Sequence, residues 1–406
     1  MICPAGYDAG INRSAHRVYL VAATLLRVSA EGFGTALVLL VHARTGQAAS
    51  AGFLVSAVLL PYVVSGPVLG NALDRARRTR SVTILFAVGY LVAMTLLLTV
   101  AGRAPLIVAA MAAIAVGCCE PITVALTSLL PRLVPAARLT RAYGLESASY
   151  NLAGIAGPGL AAGLTATVGA TAGAFSLVGV ALLGTLALLP LRIPPHAEFL
   201  PAGPPVRPGL GVVTGGLALL FGNPVLRALT LGTALAFLGM GGISVVAVLL
   251  ATHLAAGAAA GGQLLTAFAV GALIGSLGTA RWLSARHMER VVTAGMAAFG
   301  LFLAIAAVSP GLPWAVASFA LAGMCDGPVL TATMMLRQRE APAERLGQVN
   351  TTGGSLKLGT AAVGAALTAT FATHTGAPAL LLAMGSLQLL GALTFSLTRG
   401  VSRTVR

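Results

Sequence analysis

The sequence predicts an all-α membrane protein with twelve transmembrane helices arranged as two six-helix halves. The first supporting observation is composition: 9% of the 406 residues are charged and 57% are hydrophobic, whereas about a quarter of a soluble domain is charged. The second is a series of twelve apolar segments of about 20 residues, the length that crosses a bilayer as a helix. The third is the concentration of arginine in alternate connections between these segments.

The same composition excludes several other classes of protein. The chain is too apolar to be disordered, its 50 glycines show no period of three, and its four cysteines are too few for a disulfide scaffold. The short alternating strands of a membrane β-barrel do not occur in the sequence. The net charge of +15 does not indicate a nucleic-acid partner, because the arginines lie between apolar segments rather than on a soluble face.

Each apolar segment is predicted to form one span. The first contains Arg27 and Glu31 and is too long for the hydrophobic region of a cleavable signal peptide, so we interpret it as a membrane helix. In chain order the predicted spans are residues 18–42, 50–72, 81–101, 104–130, 141–166, 171–191, 225–250, 259–281, 290–309, 313–336, 347–372 and 376–397.

The distribution of arginine predicts the orientation of the chain. If the N-terminus is cytoplasmic, the cytoplasmic segments hold 21 arginines, among them Arg337, and the outer loops hold only Arg44 and Arg103. This asymmetry follows the positive-inside rule. We therefore predict a multi-pass protein of the cell inner (plasma) membrane with both termini in the cytoplasm.

A proline-rich segment divides the chain. Seven prolines lie between Pro190 and Pro208, a density that a helix interior does not tolerate. We predict an N-terminal six-helix half at residues 1–191, a cytoplasmic linker at 192–224 and a C-terminal six-helix half at 225–406. Within the linker, residues 209–223 are weakly apolar and too short to span comfortably, which predicts a helix lying at the membrane surface.

The two halves repeat each other in sequence. A shift of about 206 residues places Gly117-Cys118-Cys119-Glu120 on Gly323-Met324-Cys325-Asp326. Random apolar sequence rarely aligns one intramembrane acid with another. Two six-helix repeats in parallel orientation are the plan of the major facilitator fold.

The loop after the second span carries a motif. Residues 70–78 read GNALDRARR, in which Gly70, Asp74, Arg75 and Arg78 match the pattern G-x-x-x-D-R-x-G-R-R, and Arg77 stands where the pattern has glycine. In these residues the chain resembles the major facilitator superfamily. The resemblance implies a conformational latch, in which Asp74 lies against the start of the eleventh span; alternatively, the charges only hold the loop on the cytoplasmic side.

Two longer stretches extend the resemblance. Residues 129–164 and 223–231 resemble the corresponding regions of bacterial drug and siderophore exporters, the branch of the enterobactin exporter and the macrolide efflux proteins. Two features depart from the proton-coupled drug antiporters of this family. The fourth span carries Glu120 where many of them have an arginine, and the fifth span has only part of their signature.

The resemblance implies a secondary active transporter that works by alternating access, and not an enzyme. It favours efflux of a small amphipathic drug or secondary metabolite, as in multidrug exporters, and the acids within the spans motivate the hypothesis that this efflux is proton-coupled antiport. The expected partners are that molecule, protons and the lipid bilayer, and we expect a monomer with no cofactor, no metal and no bound nucleic acid. The alternatives are an importer or facilitator of a small metabolite, an exporter of an anionic product that uses Arg27 and Lys357, and a non-transporting membrane enzyme or sensor.

Five charged residues lie far from the ends of the predicted spans. Each costs about 2.5–3.5 kcal/mol at the centre of a lipid-facing helix, so we expect them to face a central cavity or one another. They are the candidates for substrate binding and proton coupling: Arg27, Glu31, Glu120, Asp326 and Lys357.

Each of these charges also has a structural interpretation. Arg27 and Glu31 are four residues apart and share a helix face, so they form either an ion pair or a functional site. Glu120 precedes Pro121, which loosens the helix, and is neutralised either by freed backbone groups or by Arg27 if it is not functional. Asp326 is the repeat mate of Glu120, and the two acids predict an electronegative cavity that suits cationic or amphipathic substrates; alternatively, Asp326 pairs with Lys357.

Weaker candidates lie in the fifth and eleventh spans. Glu146, Asn151 and Asn350 are polar residues within apolar segments, and we interpret Glu146 as an acid at the membrane interface. Gly154, Gly157, Gly159 and Gly163 predict close packing of the fifth span, and Pro158 predicts a bend in it. Packing alone is a sufficient explanation of these glycines.

Overall fold

The computed structural model describes residues 9–46, 48–76, 78–193, 210–257, 260–282, 285–372 and 374–403. These residues form sixteen α-helices and short 3-10 turns, with no β-strand among them. The helices are α1 (Ala9–Thr45), α2 (Ala48–Arg75), α3 (Thr79–Val100), α4 (Leu106–Cys119), α5 (Ile122–Ala125), α6 (Leu130–Leu133), α7 (Leu139–Val168), α8 (Ala170–Leu188), α9 (Leu210–Gly222), α10 (Pro224–Met240), α11 (Ile243–His253), α12 (Gly261–Trp282), α13 (Met288–Ala307), α14 (Leu312–Glu340), α15 (Leu346–Phe371) and α16 (Ala377–Arg403).

Every predicted span falls on a helix or on consecutive helices. Within the described residues, nine helical segments are long and apolar enough to cross a membrane, with α4 to α6 counted together as Leu106–Leu133. Helices α7 and α15, at 30 and 26 residues, are also longer than a bilayer requires but are richer in polar and small residues. The predicted span at 225–250 is divided into α10 and α11 at Gly241 and Gly242. The prediction of an all-α membrane protein is therefore confirmed.

The chain divides into two compact units. The first comprises residues 1–142, 152–205 and 343–351, and the second comprises residues 143–151, 206–342 and 352–406. Each unit therefore contains most of one predicted half together with a short segment of the other. The two exchanged segments come from the early parts of α7 and α15.

In the first unit α1 packs against α8, and α4 packs against α2 and α3. In the second unit α14 packs against α12 and α13, and α16 packs against α10 and α13. The repeated glycines allow a close helix crossing in each unit. A Cβ on Gly117 would overlap the backbone of Val58 in α2, and a Cβ on Gly323 would overlap the backbone of Phe268 in α12. The sequence repeat thus reflects a repeated helix crossing.

About half of the predicted linker lies outside the described residues, since 194–209 are not described. Its predicted surface helix corresponds to α9, which makes an angle of 102° with α10. Asn223 begins α10 by accepting hydrogen bonds from the backbone N–H groups of Val225 and Leu226 through Oδ1, at 2.8 and 3.1 Å. This N-cap explains why the chain turns sharply here, because a capped helix starts anew instead of continuing α9.

The predicted close packing of the fifth span is confirmed at one glycine only. A Cβ on Gly157 would lie 2.5 Å from the backbone N of Gly32, so α7 and α1 cross backbone to backbone at this point. A Cβ on Gly154, Gly159 or Gly163 would meet nothing within 4 Å, so the packing prediction was wrong for these three. Helix α7 continues through Pro158 from Leu139 to Val168.

Candidate functional site

The helix of the fourth span is interrupted at Glu120 and Pro121. Because Pro121 has no N–H, the carbonyl of Gly117 four residues earlier loses its helical donor. Ser65 in α2 replaces that donor, its Oγ lying 2.8 Å from the Gly117 oxygen. Helix α4 ends at Cys119 and the chain continues through α5, a 3-10 turn and α6. The predicted loosening of the helix at Pro121 is confirmed.

Glu120 lies at this interruption with an unsatisfied carboxyl group. Its side chain is half-buried, and within the described residues its buried Oε2 has no hydrogen-bond partner. The freed backbone therefore does not neutralise that oxygen. The charged group that acts on Glu120 most strongly is Glu31, not Arg27. Two carboxyl groups thus influence each other in the first unit.

Arg27 holds the interrupted helix from α1. It is 1% exposed, and both Nε and Nη2 donate to the backbone oxygen of Thr123 at 3.2 Å. Nη2 also donates to Oγ1 of Thr127 at 3.2 Å. Glu31, one turn along α1, is exposed and lies within electrostatic range of Arg27.

Tyr90 is a further group beside the two acids. It is fully buried in α3 and lies within electrostatic range of both Glu120 and Glu31. Its hydroxyl is 3.5 Å from Oγ of Ser29. A tyrosine in an apolar span is usually a core residue, so no sequence signal distinguished this position.

Asp326 and Lys357 interact in the second unit. Each lies within electrostatic range of the other, but within the described chain they do not form a direct salt bridge. Nζ of Lys357 instead lies 4.8 Å from the centre of the Phe237 ring, a cation–π distance. The predicted pairing is thus a longer-range attraction.

Arg337 is a buried arginine that the positive-inside count places in a cytoplasmic segment. It is 6% exposed, because α14 continues to Glu340, beyond the predicted end of the tenth span at residue 336. Lys357 and Tyr150 lie within electrostatic range of it. Lys357 is therefore within electrostatic range of both Asp326 and Arg337, and the electronegative cavity expected from the paired acids stays a prediction.

The weaker candidates are packing residues in the structure. Glu146 is fully buried, so its interpretation as an interfacial acid was wrong. Asn151 donates Nδ2 to Oγ of Ser276 at 2.8 Å and to the backbone oxygen of Ala272 at 3.3 Å, which joins α7 to α12. Asn350 is 5% exposed in α15.

Asp74 joins α2 to the first turn of α15 within the first unit. Oδ1 accepts from the backbone N–H of Gly347 at 2.9 Å, and Oδ2 accepts from that of Gln348 at 2.8 Å. We call this pair of hydrogen bonds the α2–α15 contact. The first N–H groups of a helix have no partner within it and carry partial positive charge, so a carboxylate suits this place.

Two glycines bring the helices together at the α2–α15 contact. A Cβ on Gly347 would lie 2.6 Å from Oδ1 of Asp74 and 2.8 Å from the backbone oxygen of Gly70. A Cβ on Gly70 would overlap the backbone of Gly347. Arg132 and Arg345 add favourable charge around Asp74, and neither was singled out in the sequence. Arg75 and Arg78 of the motif are exposed.

The comparisons with known proteins agree with this architecture. The sequence profile of the Major Facilitator Superfamily matches residues 19–230 and 229–406. The chain belongs to the Major Facilitator Superfamily. It is a membrane-spanning transporter of that family, and hence not an enzyme, and it acts on a small molecule.

Relatives within the superfamily include an uncharacterized MFS-type transporter, y4rN, of Sinorhizobium fredii (strain NBRC 101917 / NGR234). It is 29% identical over 337 residues, which cover 81% of this chain and 82% of the relative. Among solved structures, the human organic anion transporter MFSD10 (TETRAN) is similar with a TM-score of 0.78 at 16% identity, covering 95% of this chain and 99% of that one.

Two other superfamily structures are also similar. A bacterial homologue of the iron transporter ferroportin in an outward-facing state matches with a TM-score of 0.77 at 16% identity, covering 95% of this chain and 99% of that one. The Escherichia coli fucose:proton symporter matches with a TM-score of 0.72 at 13% identity, over 96% and 99% of the two chains. At such identities these likenesses show the fold alone.

Proposed function

We propose that the protein is a proton-coupled exporter of a small amphipathic molecule, located in the cell inner membrane with both termini in the cytoplasm. The observation that supports this proposal is the carboxyl pair of Glu31 and Glu120. One member of the pair is exposed and the other has an oxygen with no hydrogen-bond partner at a helix interruption.

The two acids have the properties that a coupling site requires. Two nearby carboxylates repel each other when both are charged, so a single bound proton relieves the repulsion. A proton moving inward across about 100 mV releases roughly 2.3 kcal/mol. Arg27 holds the backbone of α5 beside Glu120.

The α2–α15 contact serves as the conformational latch in this proposal. It joins one half of the chain to a segment of the other, and alternating access requires that such a contact forms in one state and breaks in the other. Since it consists of two hydrogen bonds to a helix terminus, it can break without disturbing the helices themselves.

Coupling is tested by transport into proteoliposomes with and without an imposed pH gradient, using a panel of amphipathic cations, amphipathic carboxylates and neutral compounds. Glu31→Gln and Glu120→Gln each abolish the transport that depends on the gradient. The control Glu344→Gln, which removes an acid from the turn before α15, retains gradient-dependent transport. Normal gradient-driven transport by both Gln variants of the pair would refute the proposed coupling.

A second function within the same fold is favoured by one observation. Two cations, Arg337 and Lys357, lie within electrostatic range of each other in the second unit, which supports the export of an anionic product. This alternative specifies the charge of the transported molecule, and transport of the carboxylates but not the cations of the same panel would support it.

A further inference from the structure

The two units contain buried arginines with different surroundings. Arg27 in the first unit donates three hydrogen bonds to Thr123 and Thr127. Arg337 in the second unit is 6% exposed, and within the described residues its buried Nη2 donates none. A guanidinium carries five N–H donors and is always charged, so a buried one with an unsatisfied nitrogen needs an anion from elsewhere.

The guanidinium of Arg337 lies against the backbone of α15. A Cβ on Gly353 would lie 2.5 Å from Nη2 and 2.6 Å from Cζ, so a larger residue there would displace the guanidinium from this position. Gly353 and Lys357 are four residues apart and therefore share one face of α15. The two cations thus lie along the same face of the helix, and each is within electrostatic range of the other.

The charged groups beside Lys357 differ in sign. Asp326 and Arg337 both act on Lys357, and of the two cations only Lys357 acts on Asp326. Tyr150, the other ionisable group that acts on Arg337, is a phenol and supplies no counter-charge at neutral pH. Among the described residues no carboxylate acts on Arg337 directly, and its buried Nη2 has no hydrogen-bond partner, so the carboxylate of a monoanion can supply its counter-charge.

We propose that Arg337 and Lys357 form a binding site for the carboxylate of an amphipathic monoanion. The guanidinium offers two parallel N–H groups that match a carboxylate, and the Phe237 ring beneath Lys357 offers an apolar surface for the body of the molecule. The inference rests on the proposed transport function, because it names the class of molecule that is transported.

Lys357 is the only lysine in the chain, which gives the test a single reporter. Reductive methylation of the purified protein with ¹³C-formaldehyde labels Nζ of Lys357, and its NMR signal is resolved from that of the N-terminal amine. The probe is benzoate, with the uncharged isostere benzamide as its control. Benzoate shifts the Lys357 signal to saturation and benzamide does not.

The variants separate a binding role from a general effect of charge. Arg337→Gln raises the benzoate Kd at least tenfold, and Arg337→Lys, which keeps the charge without the planar fork, raises it by less. Arg339→Gln, two residues away, exposed and paired with Glu289 at 2.7 Å, leaves the Kd unchanged. If Arg337→Gln does not fold, Gly353→Ala displaces the guanidinium and raises the Kd in the same way.

An unchanged Kd in Arg337→Gln, an equal response to benzamide, or no saturable response in the wild type would overturn the proposed site. Binding in this assay requires neither transport nor a pH gradient. A protein that binds benzoate without gradient-driven transport therefore contradicts only the proposed function. If the wild type shows gradient-driven transport and Arg337→Gln binds benzoate with the wild-type Kd, only the carboxylate site is contradicted.

Discussion

Replacement of Asp74 by asparagine tests the α2–α15 contact. The carboxylate accepts two backbone hydrogen bonds, at 2.9 and 2.8 Å, from the first turn of α15. Asparagine keeps one acceptor oxygen and loses the charge. A hydrogen bond to a charged group contributes about 1.5–3 kcal/mol, and an anion at a helix N-terminus contributes a further ~0.3–1 kcal/mol.

The loss expected for Asp74→Asn is therefore about 2–4 kcal/mol. Since 1.4 kcal/mol is tenfold in an equilibrium constant, the balance between the joined and separated forms shifts by roughly 30- to 1,000-fold. The helices keep their own hydrogen bonds, so we expect the helix content measured by circular dichroism to stay the same.

Spin-label distances measure this shift. Labels at Ser81→Cys and Glu344→Cys, in a background whose four native cysteines are serine, report the separation between the start of α3 and the turn before α15. The wild type gives a major short-distance population, and Asp74→Asn gives a major long-distance one. The control Glu289→Gln removes an acid that pairs with Arg339 at the start of α13 and leaves the distances unchanged. Identical distance distributions in the wild type and Asp74→Asn would refute the latch.

Three other changes follow from the described contacts. Gly70→Ala places a methyl group against the backbone of Gly347, so it lengthens the same spin-label distance, at a packing cost of about 1–3 kcal/mol. The control Gly163→Ala, whose methyl group meets nothing within 4 Å, leaves that distance unchanged. Equal effects of the two variants would contradict the close approach of α2 and α15. Ser65→Ala leaves the Gly117 carbonyl without its donor and lowers thermal stability by about 1–3 kcal/mol, measured as the unfolding midpoint in detergent. Ser56→Ala in the same helix, which loses only an exposed bond to Gly52, is the control, and an equal loss of stability there would count against the helix interruption. Arg27→Gln removes the donors to Thr123 and lowers the midpoint more than Arg17→Gln, at an exposed position of α1; similar midpoints would show that Arg27 does not hold α5.

Much of the fold follows from the sequence because the length of an apolar segment is a direct consequence of bilayer thickness. All twelve predicted spans fall on helices for this reason. The helix interruption at Glu120 was also predictable, because Pro121 has no N–H to donate. The sequence repeat aligned Gly117 with Gly323, and the structure shows that each lies at a close helix crossing.

The direction in which a side chain points was not predictable in the same way. Arg337 lies one residue beyond its predicted span, and a count of arginines treats such a position as a loop, although α14 buries it. Gly157 and Gly163 have the same spacing signal, but only the first faces α1. Tyr90 lies within electrostatic range of the two acids from α3, and Ser65 donates to the Gly117 carbonyl from α2. Sequence spacing carries no information about such contacts between different helices.

The central claim is that the carboxyl pair of Glu31 and Glu120 carries a proton, and infrared difference spectroscopy tests it without knowledge of the substrate. The carbonyl stretch of a protonated carboxyl group is separate from the carboxylate bands. The wild type in lipid is predicted to show a protonated-carboxyl band that titrates with pH and disappears in Glu120→Gln, whereas Glu344→Gln retains it. A band that is absent from the wild type at every pH, or that persists unchanged in Glu120→Gln, would contradict the account.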